Sequence, residues 1–351
     1  MRGFRPLRIH DLRRETEDAV SLSFGQPDGF AFTPGQYLTL RTWIGGEDVR
    51  RSYSICSGPT DGELRVAIKL VPGGRFSAWA HATLRPGHVI DVMPPDGRFT
   101  HRPDPAARAT YLGVAAGSGI TPVMSILKSV LTLEPRSRFL LLYGSRSTDQ
   151  ILFRETLEEL KDRYLDRFGV VHVLSREQQD VPILHGRLDG PRVLKLLTGL
   201  AEPPSLDAAF LCGPGDMIGA VTEALTGASL PPGRVHSERF SPSGEPVLRP
   251  RPVVTQGPPF ATATIIADGI RTEVPLAEGE TVLEAALRSG LDLPYSCRGG
   301  MCSSCRARVT EGTVKMDVNY ALEPWELASG YALTCQSHPT THHVTVDYDH
   351  V

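Results

Sequence analysis

Four cysteines stand where thiolate chemistry is possible: Cys297, Cys302 and Cys305 within CRGGMCSSC, and Cys335 within LTCQ. Their spacing is C-x4-C-x2-C-x29-C, with Gly299, Gly300, Ser303 and Ser304 filling most of the gaps in the loop. Three chemistries use such a group. Disulfides belong to oxidising compartments, and the N-terminus, MRGFRPLRIHDLRRETEDAV, has positive charge without the apolar core of a secretory signal. Structural zinc usually sits between two CxxC knuckles of similar spacing. A 2Fe-2S cluster is held by the C-x4-C-x2-C…C spacing found here. Its sulfides and thiolates need backbone N–H donors close by, and a loop wraps that tightly where Cβ atoms are missing, as at Gly299 and Gly300. Ser303 and Ser304 are expected to add small polar donors. The reading is a 2Fe-2S cluster on these four cysteines, with Cys56 and Cys212 as packed thiols.

A cluster of this class takes one electron at a time, at about −400 mV, so the chain should also contain the donor. AAGSGITP (115–122) follows an apolar run and opens a helix-like segment. Gly117 and Gly119 would let backbone approach a pyrophosphate, with Thr121 as the expected cap and Pro122 in the first turn. Many α/β proteins have such a turn, so alone it leaves nucleotide binding open. In RRSYSI (50–55), Arg51 could pair with a phosphate, Tyr53 could stack on a flat ring, and Ser54 could bond ring heteroatoms. In GGRFSAW (73–79), Gly74 and Ser77 could begin a short helix for a second phosphate. Each taken singly also fits an ordinary strand or turn.

The elements that must position these residues fall into blocks. Up to about residue 107, β-rich runs (AVSLSF, QYLTLRTWI, RRSYSIC, ELRVAIKLV, HVIDVM) alternate with Gly and Pro turns, the pattern of an antiparallel barrel or sandwich. From about 108, the continuous apolar runs TYLGVAA, RFLLLYG, GVVHVLS and DAAFLCG alternate with helix-like segments, which predicts a doubly wound parallel sheet over 108–240. Residues 241–259 hold six prolines and no periodicity, the mark of a linker. Residues 260–351 combine a hairpin (ATATIIADGIRTEVPL), a helix capped by Thr281 and ended by Gly290, the cysteine loop, and the strands RARVTE and HVTVDYD, a small α+β unit.

A length of 351 residues suits two or three domains. No apolar run reaches the roughly 18 to 20 residues that span a bilayer, and the chain reads as cytoplasmic. The net charge of −3 points to neither nucleic acid nor an anionic membrane. It is unevenly spread. Residues 262–351 carry 6 Lys+Arg against 12 Asp+Glu, or −6, and the remainder is +3. This could be two solvated surfaces or a docking face.

RSYS, GGRFS, GSGITP and CGP (212–214), in that order, resemble the ferredoxin-NADP reductase superfamily, and CRGGMCSSC with LTCQ resembles a plant-type ferredoxin fused behind it. The resemblance spans essentially the whole chain. It implies an antiparallel β-barrel FAD domain (1–107), an α/β doubly wound NAD(P)-binding domain (108–240) and a β-grasp ferredoxin domain (260–351). MDVNYALEPWELASGYALTCQSHP (316–339) and HSERF (236–240) are similar to the reductases of phenylacetyl-CoA epoxidase systems, with steroid-hydroxylase reductases the nearest rival.

The resemblance also implies residue roles. Arg51, Ser52, Tyr53 and Ser54 would hold FAD, and Gly74, Arg75, Phe76 and Ser77 its pyrophosphate. Gly117, Gly119 and Thr121 would receive the nicotinamide dinucleotide, with Cys212 and Gly213 beside the nicotinamide and Phe240 near the flavin. Ser54, Thr121, Cys212 and Phe240 would surround hydride transfer, with no side chain required as acid or base. Arg146, Ser175 and Arg176 follow the second and third parallel strands, where an adenosine 2′-phosphate lies, which favours NADPH over NADH; they could equally be solvated loop residues. The implied partner is a di-iron oxygenase component docked through the acidic ferredoxin domain.

Overall fold

A computed structural model describes residues 3–240 and 259–350. The proline-rich linker expected at 241–259 lies outside them, except for Pro259. The described residues form two compact units, one from Phe4 to Phe240 and one from residue 259 onward.

The first unit begins with seven strands and a helix: β1 (Arg5–Arg8), β2 (Asp11–Thr16), β3 (Ala19–Ser23), β4 (Tyr37–Ile44), β5 (Glu47–Ser54), β6 (Arg65–Lys69), α1 (Arg75–Thr83) and β7 (Val89–Val92). Two antiparallel sheets, in the orders β1-β7-β4-β5 and β2-β3-β6, are joined by an Ile55–Val66 bridge. Alternation along β4 sends Leu38 and Leu40 inward, where they meet Leu22, Val66, Ile68 and Phe76 in one core. α1 closes that core with Phe76 and Ala80. With one shared core between the two sheets, this is the antiparallel β architecture that the turn spacing predicts.

There follow β8 (Thr110–Ala116), α2 (Ile120–Leu133), β9 (Arg138–Ser145), α3 (Arg154–Arg163), β10 (Phe168–Leu174), α4 (Gly190–Leu197), β11 (Ala208–Gly213), α5 (Gly215–Gly227) and β12 (Val235–Arg239). All five strands are parallel, in the order β10-β9-β8-β11-β12. Helices on both faces explain why β8 and β11 are apolar throughout, since neither side meets water. The strand order reverses between β8 and β11, and the carboxyl ends of these two strands therefore border a crevice.

The second unit holds β13 (Ala261–Ala267), β14 (Ile270–Leu276), α6 (Val282–Arg288), β15 (Arg306–Glu311), β16 (Val314–Met316), α7 (Pro324–Ala328), β17 (Tyr331–Leu333), β18 (Ser337–Pro339) and β19 (His343–Asp347). The β13–β14 hairpin turns at Asp268 and Gly269, both with positive φ (52° and 73°), the geometry that Asp-Gly favours. A mixed sheet in the order β14-β13-β19-β15-β17 carries α6 packed on it, which is a β-grasp arrangement. Thr281 caps α6 in a reciprocal box with Glu284, and Gly290 follows the helix with φ +83°. Among the described residues, no helix is long and apolar enough to cross a membrane.

Candidate functional site

The cysteine loop turns on three left-handed residues, Arg298 (φ 52°), Gly300 (75°) and Ser303 (54°). These bends aim backbone donors at sulfur. Gly299 N–H and Met301 N–H donate to Cys297 Sγ at 3.3 and 3.4 Å, and Cys297 N–H donates to Cys302 Sγ at 3.5 Å. Gly300 is required twice over: by its φ, and because a Cβ would stand 3.0 Å from Val318 Cγ2. At Gly299 a Cβ would meet nothing closer than 3.8 Å, so crowding does not explain that glycine.

The sulfurs pair two and two, Cys297 with Cys302 and Cys305 with Cys335. The Cys302 contact and the backbone donors hold the Cys297 thiol down to about 6, while Cys302 is raised as its partner. Cys335 is likewise lowered, first by Cys305 and then by the Gln336 amide, whose Nε2 lies 3.4 Å from Cys335 Sγ. The C-x4-C-x2-C…C spacing that carries these four thiols is the one that holds a 2Fe-2S cluster. Of the two serines expected as donors, only Ser304 serves, through a hydroxyl that lowers Cys302. Ser303 Oγ donates instead to its neighbour's carbonyl, Cys302 O, at 2.7 Å. Gln336 escaped sequence reasoning; its amide also donates to Arg298 O at 2.9 Å, tying the fourth cysteine to the loop.

In the first unit, β5 ends at the crevice. Ser52 Oγ lies 3.2 Å from Thr39 Oγ1, Tyr53 packs its ring 5.5 Å from Phe76, and Arg51 is exposed with a guanidinium donating to Arg50 O. The GGRFS turn divides its labour. Phe76 is buried in the barrel core. Ser77 Oγ is spent within the turn, accepting from Val71 N–H at 3.1 Å and donating to Gly74 O at 3.3 Å. What faces outward is Arg75, paired with Glu47, and the first N–H groups of α1, which have no intrahelical acceptor. The Phe76 and Ser77 side chains thus shape the turn, and a phosphate would meet their backbone.

At the crevice, Gly117 has φ +55° and open space where its Cβ would be, while its carbonyl accepts from Tyr143 Oη at 3.0 Å. Gly119 answers a different demand. A Cβ there would stand 2.1 Å from Cys212 O, so glycine lets the loops after β8 and β11 touch. Thr121 is not the expected helix cap. GSG forms a 3-10 turn that runs into α2, Gly119 holds the cap position, and Thr121 Oγ1 donates back to Ser118 O at 2.9 Å. Cys212 is fully buried, its thiol pushed up by loss of solvent, and Gly213 ends β11 beside it.

The crevice also joins two residues that lie 184 apart: Ser54 Oγ donates to Glu238 Oε2 at 3.2 Å. Glu238, on β12, is desolvated, which pushes its carboxyl up to about 8. Sequence reasoning passed over it, since an acid in HSERF looks like any surface residue until β12 pairs with β11. Phe240, one residue beyond β12, is 39% exposed. Arg146 and Arg176 are both exposed on adjacent loops, linked by Arg176 N–H donating to Arg146 O at 2.8 Å. Ser175 N–H donates to Ser145 O at 3.0 Å beside them. Glu177, next to Arg176 in sequence, is engaged by Thr148 N–H and Oγ1, both at 2.7 Å.

Comparison with known proteins gives the same division of labour. Residues 7–101 match the oxidoreductase FAD-binding domain family, residues 114–223 the oxidoreductase NAD-binding domain family, and residues 265–340 the 2Fe-2S iron-sulfur cluster binding domain family. The chain belongs to the flavin- and iron–sulfur-dependent reductase components of oxygenases, oxidoreductases in which these three domains occur in this order. It is 42% identical over 354 residues, 99% of each chain, to a component of the 1,2-phenylacetyl-CoA epoxidase of Escherichia coli (strain K12). It is 35% identical to the ferredoxin reductase component of 3-ketosteroid-9-alpha-monooxygenase from Rhodococcus rhodochrous, covering 97% of this chain and 96% of that one. Phthalate dioxygenase reductase shares the fold, with a TM-score of 0.60 at 22% identity over 98% of each chain.

Proposed function

We propose that this protein is the cytoplasmic, NADPH-dependent reductase that supplies electrons to a di-iron oxygenase epoxidising phenylacetyl-CoA. The four-cysteine loop, with backbone donors aimed at Cys297 and Cys302 Sγ, carries the reading. Residues 1–107 would hold FAD, 108–240 the coenzyme and 260–351 the cluster. Arg51, Ser52, Tyr53 and Ser54 would seat the flavin with Arg75 and the N–H groups of Gly74, Phe76 and Ser77. Gly117, Gly119, Thr121, Cys212 and Gly213 would frame the nicotinamide, and Cys297, Cys302, Cys305 and Cys335 would ligate iron. When bound, FAD takes a hydride's two electrons together and releases them singly, which the one-electron cluster requires.

The chain's own contribution is placement and proton custody. Gly119 lets the two crevice loops close on each other. Glu238, whose carboxyl is raised to about 8 by loss of solvent, stands within hydrogen-bond reach of Ser54 Oγ and would hold a proton there. Arg146 and Arg176 would offer two cations to a 2′-phosphate, with Glu177 beside them already engaged by Thr148.

Similarity over the full length favours the phenylacetyl-CoA system, and the 35% relative supports a steroid hydroxylase as second reading. Anaerobic titration with NADPH, followed in the visible range, tests the core of the proposal. Flavin and cluster absorbance should bleach at low NADPH; equal response to NADH refutes the coenzyme choice. Reconstitution with each oxygenase component separates the two acceptors.

A further inference from the structure

Gln336 follows Cys335 in the turn between β17 and β18, and it is buried, 8% exposed. A buried amide is costly unless its polar atoms are bonded, and this one has two hydrogens to give from Nε2. Three acceptors surround that nitrogen: Arg298 O at 2.9 Å, Cys335 O at 2.9 Å and Cys335 Sγ at 3.4 Å. Two carbonyl oxygens at that distance require nitrogen, and not the amide oxygen, on this side of the group. Arg298 O lies in the cysteine loop and takes one hydrogen; the other falls between the carbonyl and the sulfur of Cys335. The backbone that carries the amide is pinned on three sides. Gln336 N–H donates to Leu333 O at 2.8 Å, Gln336 O accepts from Asp317 N–H at 3.0 Å, and Thr334 Oγ1 donates to Cys305 O at 2.9 Å.

The donors to the cysteines differ in kind. At Cys297 they are the N–H groups of Gly299 and Met301, which almost any sequence would supply. At Cys335 a side chain joins the backbone N–H of Gly300, and leucine, of similar bulk, would fill the space without a donor. Tying the turn to Arg298 O needs only one of the two hydrogens. The second is aimed at a thiolate. Hydrogen bonds to the sulfurs are among the levers that set a cluster's potential. Reduction adds one electron to the cluster, supplied by the flavin, with no bond made or broken. The reduced form therefore carries more negative charge on its sulfurs and gains more from an N–H donor than the oxidised form does. We infer that Gln336 is a positioning residue for electron transfer, which acts through Cys335 Sγ to raise the potential of the 2Fe-2S cluster and so favour its reduction by the flavin. The inference rests on the reading of Cys335 as an iron ligand.

The test compares the full-length holoprotein with Gln336→Leu, both assayed for iron, sulfide and flavin. Redox titration of the cluster, followed by EPR, should give an equilibrium constant for one-electron reduction about tenfold lower in the variant, a fall of about 59 mV. The flavin should titrate as in wild type. A purely structural role has the opposite sign: a loosened turn admits water, which solvates the more highly charged reduced form and raises the potential. The second readout is direct. In protein made with glutamine carrying heavy nitrogen at its side-chain amide, pulsed EPR of the reduced cluster should show a coupling to that nitrogen, absent from Gln336→Leu. An unchanged or raised potential in Gln336→Leu overturns the inference. Should that variant take up no iron, a wild-type protein without the amide coupling overturns it instead. Failure of the ligand reading is separately visible: a Cys335→Ser protein that keeps the wild-type EPR spectrum removes Cys335 from the cluster, and the inference with it.

Discussion

Glutamine in place of Glu238 is the sharpest probe of the crevice. Moving a carboxyl from 4.5 to about 8 disfavours its charged form by roughly 5 kcal/mol at most. About nine-tenths of the protein then carries the proton at pH 7 and about one-tenth at pH 9. If the neutral side chain beside Ser54 is the competent one, the rate at which NADPH reduces the enzyme falls roughly tenfold across that interval. Glu238→Gln keeps a neutral group of the same shape 3.2 Å from Ser54 Oγ, so its profile should be flat, and within about threefold of wild type at pH 7. The same shift has a thermodynamic face. The folded unit retains a proton that the unfolded chain releases near 4.5, so this group's stabilisation is complete below that pH and is lost as pH climbs to about 8. Glu238→Gln should remove that decline in urea midpoints. Stopped-flow reduction from pH 6 to 9.5 decides the matter. A break near 8 that persists in the glutamine variant, or a wild type without one, refutes the reasoning.

Glu326→Ala strands Arg306 as an unpaired buried cation and should cost the second unit about 3–5 kcal/mol, read as a lower midpoint for loss of cluster absorbance. Pairing Glu326→Leu with Arg306→Met should restore most of it. Gly300→Ala forces a left-handed alanine against Val318 at about 1–2 kcal/mol for the backbone alone, and should lower iron and sulfide content while leaving flavin content unchanged. Replacing Arg146 and Arg176 together by alanine should raise the KM for NADPH at least tenfold and leave that for NADH nearly unmoved; equal changes would remove both arginines from coenzyme choice.

Legibility in the sequence followed burial. β8, β9, β10 and β11 declare themselves as apolar runs because they are covered by helices on both faces. β1 and β2, RPLR and DLRRET, gave no signal because their side chains are largely in water, and arginine-rich edges do not alternate. β12 was visible as a motif and invisible as a strand for the same reason: its residues are at most half-buried, and its place comes from pairing with β11. The 2Fe-2S class of the C-terminal domain was readable from the cysteine spacing, and the family match over residues 265–340 agrees. Ser303 and Ser304 were not distinguishable, since a single positive φ at Ser303 decides which hydroxyl reaches sulfur. Thr121 misled because a polar residue before proline looks like a cap wherever the preceding turn is helical too. Glu238 needed a partner 184 residues away, which no local pattern contains.

Cys305 and Cys335 bracket everything from β15 to β17, α7 included. A metal bridge across that pair closes a ring of about thirty residues, and restricting a ring of that size is worth about 3–4 kcal/mol by analogy with a disulfide. Iron held by both cysteines would staple the two ends of the segment that carries α7. A molecule not yet loaded would hold that segment on a slacker tether. Order in this segment is thus expected to follow cluster loading.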